Sequence, residues 1–207
     1  MRNHLELGID EAGRGPVLGP MIMAGVVVPA NDEQILHEWG VADSKTFGSS
    51  KKARGKREKL AKKIKERFPH QVTIIPSDTI DHYVRNSSLN RLEQETALNI
   101  ISSLKSDRVV LDGKNLFAPI ENDKIKAYNK ADKDYISVAA ASILAKAERD
   151  RQVFELCKPF IDEYGEIGGG GYANKKTLEF VKWYLEKYGS LPPFYRASYQ
   201  WKELRFN

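Results

Sequence analysis

LELGIDEAGRGPVLGPMIMAGVVV, residues 5 to 28, holds two apolar runs, Leu5 to Ile9 and Met21 to Val28, on either side of a turn rich in glycine and proline. Apolar runs flanking such a turn predict two antiparallel strands. Two adjacent carboxylates, Asp10 and Glu11, fall at the end of the first run, and Gly13-Arg14-Gly15 follows them directly. Magnesium takes oxygen ligands and keeps several waters, so one or two carboxylates plus a substrate phosphate suffice to hold it. Glycines let backbone N–H groups approach a phosphate or a sugar closely. The acid pair and the glycine-bracketed cation together read as a site that holds a divalent metal with one half and a phosphodiester with the other. An acid pair can also simply close a strand or cap a turn. Neighbouring residues of a regular strand face opposite ways, so both acids reach one ion only where the strand bends or stops; this predicts a strand end at Glu11.

Outward from this stretch, periodicity supplies the remaining elements. Ser49 or Ser50 caps a helix on which Leu60, Ile64 and Phe68 share a face. Val72 to Ile75 reads as a third strand, followed by a helix carrying Leu89, Leu92, Glu93, Thr96, Ile100, Ile101 and Leu104 at helical spacing. Arg108 to Leu111 and Lys124 to Tyr128 read as a fourth and a fifth strand. An Ala-rich helix begins near Asp134, with Asp132 or Asp134 as its N-cap, and a last helix over Lys175 to Tyr188 is stopped by Gly189 and Pro192. The order of elements predicts an α/β fold. A chain of 207 residues suits one domain with its own core.

The net charge of +5 is unevenly spread: residues 51 to 67 hold ten Lys or Arg against two Glu, a local charge of +8. Such a stripe marks either phosphate binding or a solvated helix face. The single cysteine, Cys157, cannot form an internal disulfide, which points to a reducing cytoplasm. The longest mostly apolar run, Val17 to Pro29, is too short to cross a bilayer, and no export signal is visible. The four histidines lie outside every motif.

The stretch Gly8 to Pro20 resembles the opening of ribonuclease HII, the type 2 ribonuclease H. Asp43-Ser44-Lys45, Leu111-Asp112-Gly113, and Lys130-Ala131-Asp132 leading into residues 138 to 150 (VAAASILAKAERD) match the same family in order, and Gly169 to Tyr172 adds a weaker match. Lys130-Ala131-Asp132, where bacterial members usually have Lys-Gly-Asp, and the ending PPFYRASYQW look closer to archaeal members. The resemblance implies a ribonuclease H-like fold, a mixed sheet of about five strands flanked by helices, with a helical C-terminal extension over about residues 157 to 207 of a single catalytic domain. It places the first and fourth strands side by side, which brings Asp112 to Asp10 and lets Asp132 complete a four-carboxylate set with Glu11. That set implies two divalent ions, magnesium or manganese. Asp112 also reads as an ordinary turn residue. The implied activity is cleavage of the RNA strand of RNA–DNA hybrids, and of duplex DNA at single ribonucleotides, by a monomer that leaves 3′-hydroxyl and 5′-phosphate ends. Gly13, Arg14 and Gly15 then read the ribose 2′-hydroxyl, Lys45 and Lys146 meet phosphates, and Tyr172 packs on the sugar beside the scissile position. Arg196, Ser198 and Trp201 match the family's ending and suggest docking of the tail. Ribonuclease HIII is the alternative within the class, although it usually carries an extra N-terminal domain and a glutamate at the fourth acid. A nucleic-acid binding module on the same fold, without catalysis, is the alternative outside it.

Overall fold

The computed structural model describes residues 4–42, 48, 50–167 and 169–201. Five strands form one mixed sheet: β1 (Leu5–Ala12), β2 (Met21–Pro29), β3 (His70–Ile75), β4 (Arg108–Asp112) and β5 (Ile125–Tyr128), in the order β3-β2-β1-β4-β5. β1 runs antiparallel to β2 and parallel to β4, so the two acid-bearing strands are neighbours, in register Ile9 to Leu111. The helices are α1 (Glu33–Glu38), α2 (Lys51–Arg67), α3 (Ser77–Asn86), α4 (Leu89–Ser103), α5 (Lys114–Phe117), α6 (Ile136–Cys157), α7 (Ile161–Tyr164) and α8 (Lys175–Tyr188). Among the described residues none is long and apolar enough to cross a membrane.

The alternation of strand side chains divides the core in two. Ala12, Ile22, Ala24, Val26 and Val28 pack on one face against α2 and α6, through Leu60, Ile64, Ala140 and Leu144. Leu7, Ile9, Met23 and Val27 pack on the other against α3 and α4, through Ile80, Leu92 and Ile100. The small residues of α6 let it lie almost on the sheet: a Cβ at Gly8 would stand 2.2 Å from the carbonyl carbon of Ser137. A third cluster joins Val17 and Leu18, just after the Gly-Arg-Gly turn, to Phe180, Val181, Phe194 and Tyr195 of the C-terminal region.

Most elements stand where periodicity put them, with three corrections. β1 does not end at Glu11 but pairs through Ala12, opposite Ile22 of β2. Neither Asp132 nor Asp134 caps α6, whose N-cap is Tyr135; Asp132 instead lies in a 3-10 turn, Ala131–Lys133. α1, α3 and the one-turn α5 and α7 were not anticipated. Ser50 caps α2, its hydroxyl accepting from Ala53 N at 3.2 Å, whereas Ser49 and the Asp43-Ser44-Lys45 motif lie outside the described residues. The cations of α2 stand mostly on its exposed face, except Arg57, which turns inward to Asp150 at 2.6 Å.

Candidate active site

Three of the four predicted carboxylates converge. Asp10 projects from β1 toward α6, Asp112 is the last residue of β4, and Asp132 sits in the turn that follows β5. Each offers an oxygen within 4.8 Å of the others. Two local bonds fix this arrangement. Asp112 Oδ1 accepts from Ala131 N at 3.0 Å, which ties the Asp132 turn to the end of β4, and Asp10 Oδ1 accepts from Glu11 N at 2.8 Å. The turn is entered through Lys130 in the left-handed region, φ 60°. Burial pushes the Asp10 carboxyl up to about 6, with repulsion from Asp112 adding to it, while Ser142 and Lys146 pull the other way. Lys146 reaches into this group, its Nζ donating to Ser142 Oγ at 2.6 Å. An all-oxygen donor set in which buried Asp10 is costly to ionise fits a hard divalent cation, which takes oxygen ligands and restores the ionised form.

Glu11 stands apart from that trio. It follows Asp10 on a continuous strand, so its side chain takes the opposite face, toward Glu93 of α4 and Arg14. Burial drives its carboxyl up to about 8, helped by the charges of Asp10, Glu93 and Asp112 and opposed by Arg14.

The Gly13-Arg14-Gly15 turn adjoins the acids and is held by residues distant in sequence. Gly13 has φ 88°, and a Cβ there would lie 2.9 Å from the Pro20 carbonyl oxygen as well as inside the Arg149 side chain. Arg196, wholly buried, donates from Nε to Gly19 O at 2.9 Å, from Nη2 to Gly13 O at 2.8 Å and from Nη1 to Arg14 O at 3.1 Å. Arg149 donates to Leu18 O and Gly170 O, and burial, then the charge of Arg196, lowers its guanidinium to about 10. Its Nε has no hydrogen-bond partner among the described residues. Gly171 O accepts from Val17 N and Leu18 N, which brings the glycine run against the turn. Tyr172 follows that run with 53% of its surface exposed, its ring edge 3.7 Å from where a Cβ on Gly15 would stand. Ser198 docks the tail as expected, its N–H and hydroxyl both donating to Asp81 Oδ1. Arg196 does more than docking, since it binds the carbonyls of the motif itself. Arg149 and Glu93 carried no role in the sequence reading, although a glutamate on the apolar stripe of α4 was a visible anomaly.

Carboxylates gathered where the first and fourth strands of such a sheet end side by side define a metal-dependent hydrolase of the ribonuclease H class. Residues 7–202 match the family model of ribonuclease HII, and the chain belongs to that family; this decides between the two families weighed from the sequence. Ribonuclease HII of Methanobrevibacter smithii is 36% identical over 93% of this chain and 94% of its own. Among solved structures, ribonuclease H2 from Pyrococcus horikoshii superposes with a TM-score of 0.80 at 32% identity, over 95% of this chain and 94% of that one. The ribonuclease HII solved in complex with PCNA from Archaeoglobus fulgidus gives 0.81 at 34% identity, over 98% and 97%. The resemblance to archaeal members holds.

Proposed function

We propose that this protein is an endonuclease that cuts the RNA strand of RNA–DNA hybrids and cuts duplex DNA at single embedded ribonucleotides, leaving 3′-hydroxyl and 5′-phosphate ends. The observation that carries this reading is the convergence of Asp10, Asp112 and Asp132 beside the Gly13 to Gly15 turn. These three would hold divalent ions, magnesium or manganese, with Glu11 adding its charge from the other face of β1. Two such ions, when bound, supply activation of the attacking water and stabilisation of the leaving oxygen. The chain's own residues do the rest. Lys146, braced by Ser142, presents a cation beside Asp10 for a phosphate, and Lys45 is proposed to do likewise. Backbone groups of Gly13, Arg14 and Gly15 read the 2′-hydroxyl, the group that separates RNA from DNA. Tyr172 lays its ring on the neighbouring sugar, and the exposed cations of α2 meet the duplex backbone. Residues 1 to 207 form one catalytic domain whose part from about 157 onward contacts substrate; support comes from the C-terminal cluster packed directly under Val17 and Leu18. The protein works as a monomer in the cytoplasm.

Incubating the pure protein with labelled hybrid, and with DNA duplex carrying one ribonucleotide, with and without magnesium or manganese, tests this directly. Metal-dependent cleavage of both supports the reading. Binding without cleavage would make the chain an inactive module on a nuclease fold.

Asp132 and Asp134 are separated by their places: the former joins the trio, the latter lies just past the turn and is exposed. Asparagine keeps the shape but is a poorer metal ligand, so Asp132→Asn should lower kcat about 100-fold, some 2.7 kcal/mol of barrier, and Asp134→Asn by less than about threefold. The reverse ranking would move the fourth carboxylate.

At a lone ribonucleotide the enzyme has one 2′-hydroxyl and the adjoining sugar as cues, without A-form geometry over several base pairs. Tyr172→Ala should therefore cut activity at a lone ribonucleotide by roughly tenfold, the scale of one lost stacking contact, and on continuous hybrid by much less. Tyr172→Phe should keep most of both. Equal losses for the alanine variant would show that Tyr172 shapes the loop without reading the junction.

A further inference from the structure

Arg14 is clamped from two sides. Its Nε donates to both carboxylate oxygens of Glu93, at 2.9 and 3.1 Å, and its Nη2 to Asn90 Oδ1 at 2.6 Å. Its carbonyl accepts from Arg196 Nη1 at 3.1 Å and from the Tyr199 hydroxyl at 2.6 Å. The Glu93 side chain is wholly buried, whereas 44% of the Arg14 side chain is exposed. As a stabilising device this pair is poor. Taking a carboxylate out of water costs several kcal/mol, which one half-wet guanidinium only partly returns, and an apolar residue of similar volume is often as good or better. Position 93 lies where α4 otherwise buries Leu92, Thr96, Ala97 and Ile100, a mostly apolar stripe in which an apolar residue would suit it. Nor does the pair build positive potential, because Glu93 cancels the charge of Arg14.

What the pair does provide is order. A free arginine loses up to about 2 kcal/mol of rotamer entropy when a ligand fixes it; Glu93 and Asn90 impose that order during folding instead. The clamp uses Nε and one end of the guanidinium fork. Nη1, which neither Glu93 nor Asn90 engages, belongs to a half-exposed side chain one residue from Gly13 and three from Glu11. Arginine's planar fork suits a phosphate when it is held at a set angle.

We propose that Glu93 is a positioning residue for substrate: through Arg14 Nε, and together with Asn90, it fixes the Arg14 guanidinium to hold one backbone phosphate beside the ribose read by the Gly13 to Gly15 turn. This rests on the nuclease reading of the same turn. The benefit lies in substrate binding, so it appears in Kd and KM and leaves kcat alone.

The test is a double-mutant cycle of Glu93→Gln and Arg14→Ala. Hybrid affinity is read by fluorescence anisotropy with calcium in place of magnesium, and kcat and KM are read with magnesium. Glu93→Gln should raise Kd and KM about fivefold to tenfold with kcat within about twofold, and should add nothing in the Arg14→Ala background, because it acts through that side chain. Asn90→Ala weakens the clamp from the surface of α4 and should show the same dependence on Arg14 with a smaller rise; it decides the question if Glu93→Gln melts below the assay temperature. Additive effects, a fall in kcat at unchanged KM, or wild-type behaviour of both variants would each overturn the proposal, the second by placing Glu93 with Glu11. If the wild-type protein binds hybrid without cutting it, the nuclease reading fails and the affinity cycle still decides the role of Glu93. If it does not bind hybrid, both fall.

Discussion

Asp10→Asn lowers metal-dependent hybrid cleavage by about a thousandfold or more while the protein stays folded and still binds hybrid. A metal site contributes several kcal/mol of transition-state stabilisation, and each 1.36 kcal/mol is tenfold in rate. Asparagine keeps an Oδ1 to accept from Glu11 N, so the local backbone bond survives while the ligand charge is lost. Asp112→Asn should behave alike, retaining its bond from Ala131 N. Both variants leave the Gly13 to Gly15 turn and Lys146 in place, which is why binding persists. Stability should move the other way. Burial holds the Asp10 carboxyl near 6 in the folded chain against an ordinary 3.8, and Glu11 near 8 against 4.5. The folded metal-free protein therefore binds protons more readily than the unfolded chain, and stability falls as pH rises through these windows, first to about 6 and then to about 8. Asp10→Asn removes the first window. With EDTA present, its melting temperature should exceed that of the wild type at pH 8 and differ little at pH 4. Magnesium favours the ionised carboxylates, so its stabilisation of the wild type should grow between pH 5 and 8 and shrink in the variant. Cleavage by Asp10→Asn near the wild-type rate at saturating magnesium would remove Asp10 from the site.

The strands and long helices were legible because their burial patterns are periodic; of the acids, Asp10 and Glu11 stood out behind an apolar run, whereas Asp112 and Asp132, which by themselves read as a turn residue and a helix cap, joined them only through the family resemblance. What was not legible has specific causes. The strand end expected at Glu11 assumed that both acids must face one cluster. The chain instead continues as a regular strand to Ala12, and the second acid finds an environment on the opposite face, beside Glu93 and Arg14. α3 follows β3 across Pro76 with only Ile80, Tyr83 and Val84 as its apolar signal, too short a pattern to separate from the helix after it. Arg196 could not be placed because its partners are backbone carbonyls of residues 13, 14 and 19, which carry no mark in the sequence. Arg149 lies within the Ala-rich motif, yet its bonds to Leu18 O and Gly170 O exist only once the glycine run folds back on the turn.

Gly8→Ala should be the most damaging single-atom change in the sheet, and it separates the geometric basis of the site from its chemistry. Gly8 has ordinary strand geometry, so conformational freedom is not what demands glycine there. Space is. The added Cβ would stand 2.2 Å from the Ser137 carbonyl carbon and the Val138 nitrogen, and 2.5 Å from the Ser137 oxygen. These are backbone atoms of α6, which cannot rotate aside as a side chain would, so the helix must move off β1 by an ångström or more. α6 fills one side of the core through Ala139, Ala140, Ala141 and Leu144, and a shift opens that packing along its length. Overpacking against backbone at a close helix-to-sheet contact costs about 3 kcal/mol or more, which for a chain of this size lowers the melting temperature by roughly 6–12 °C. Activity should suffer beyond the loss of folded protein. Ser142 and Lys146 ride on α6 while Asp10 rides on β1, so the same displacement pulls apart the groups that face each other across that contact. Differential scanning calorimetry reads the first effect, and turnover well below the variant's melting temperature reads the second. Gly55→Ala, on α2 where a Cβ meets open space, supplies the contrast and should be neutral or stabilising by up to about 1 kcal/mol. If Gly8→Ala melts with the wild type, the close approach of α6 is not what the fold depends on; if it melts early yet turns over normally when folded, the position of Lys146 against Asp10 is not what activity depends on.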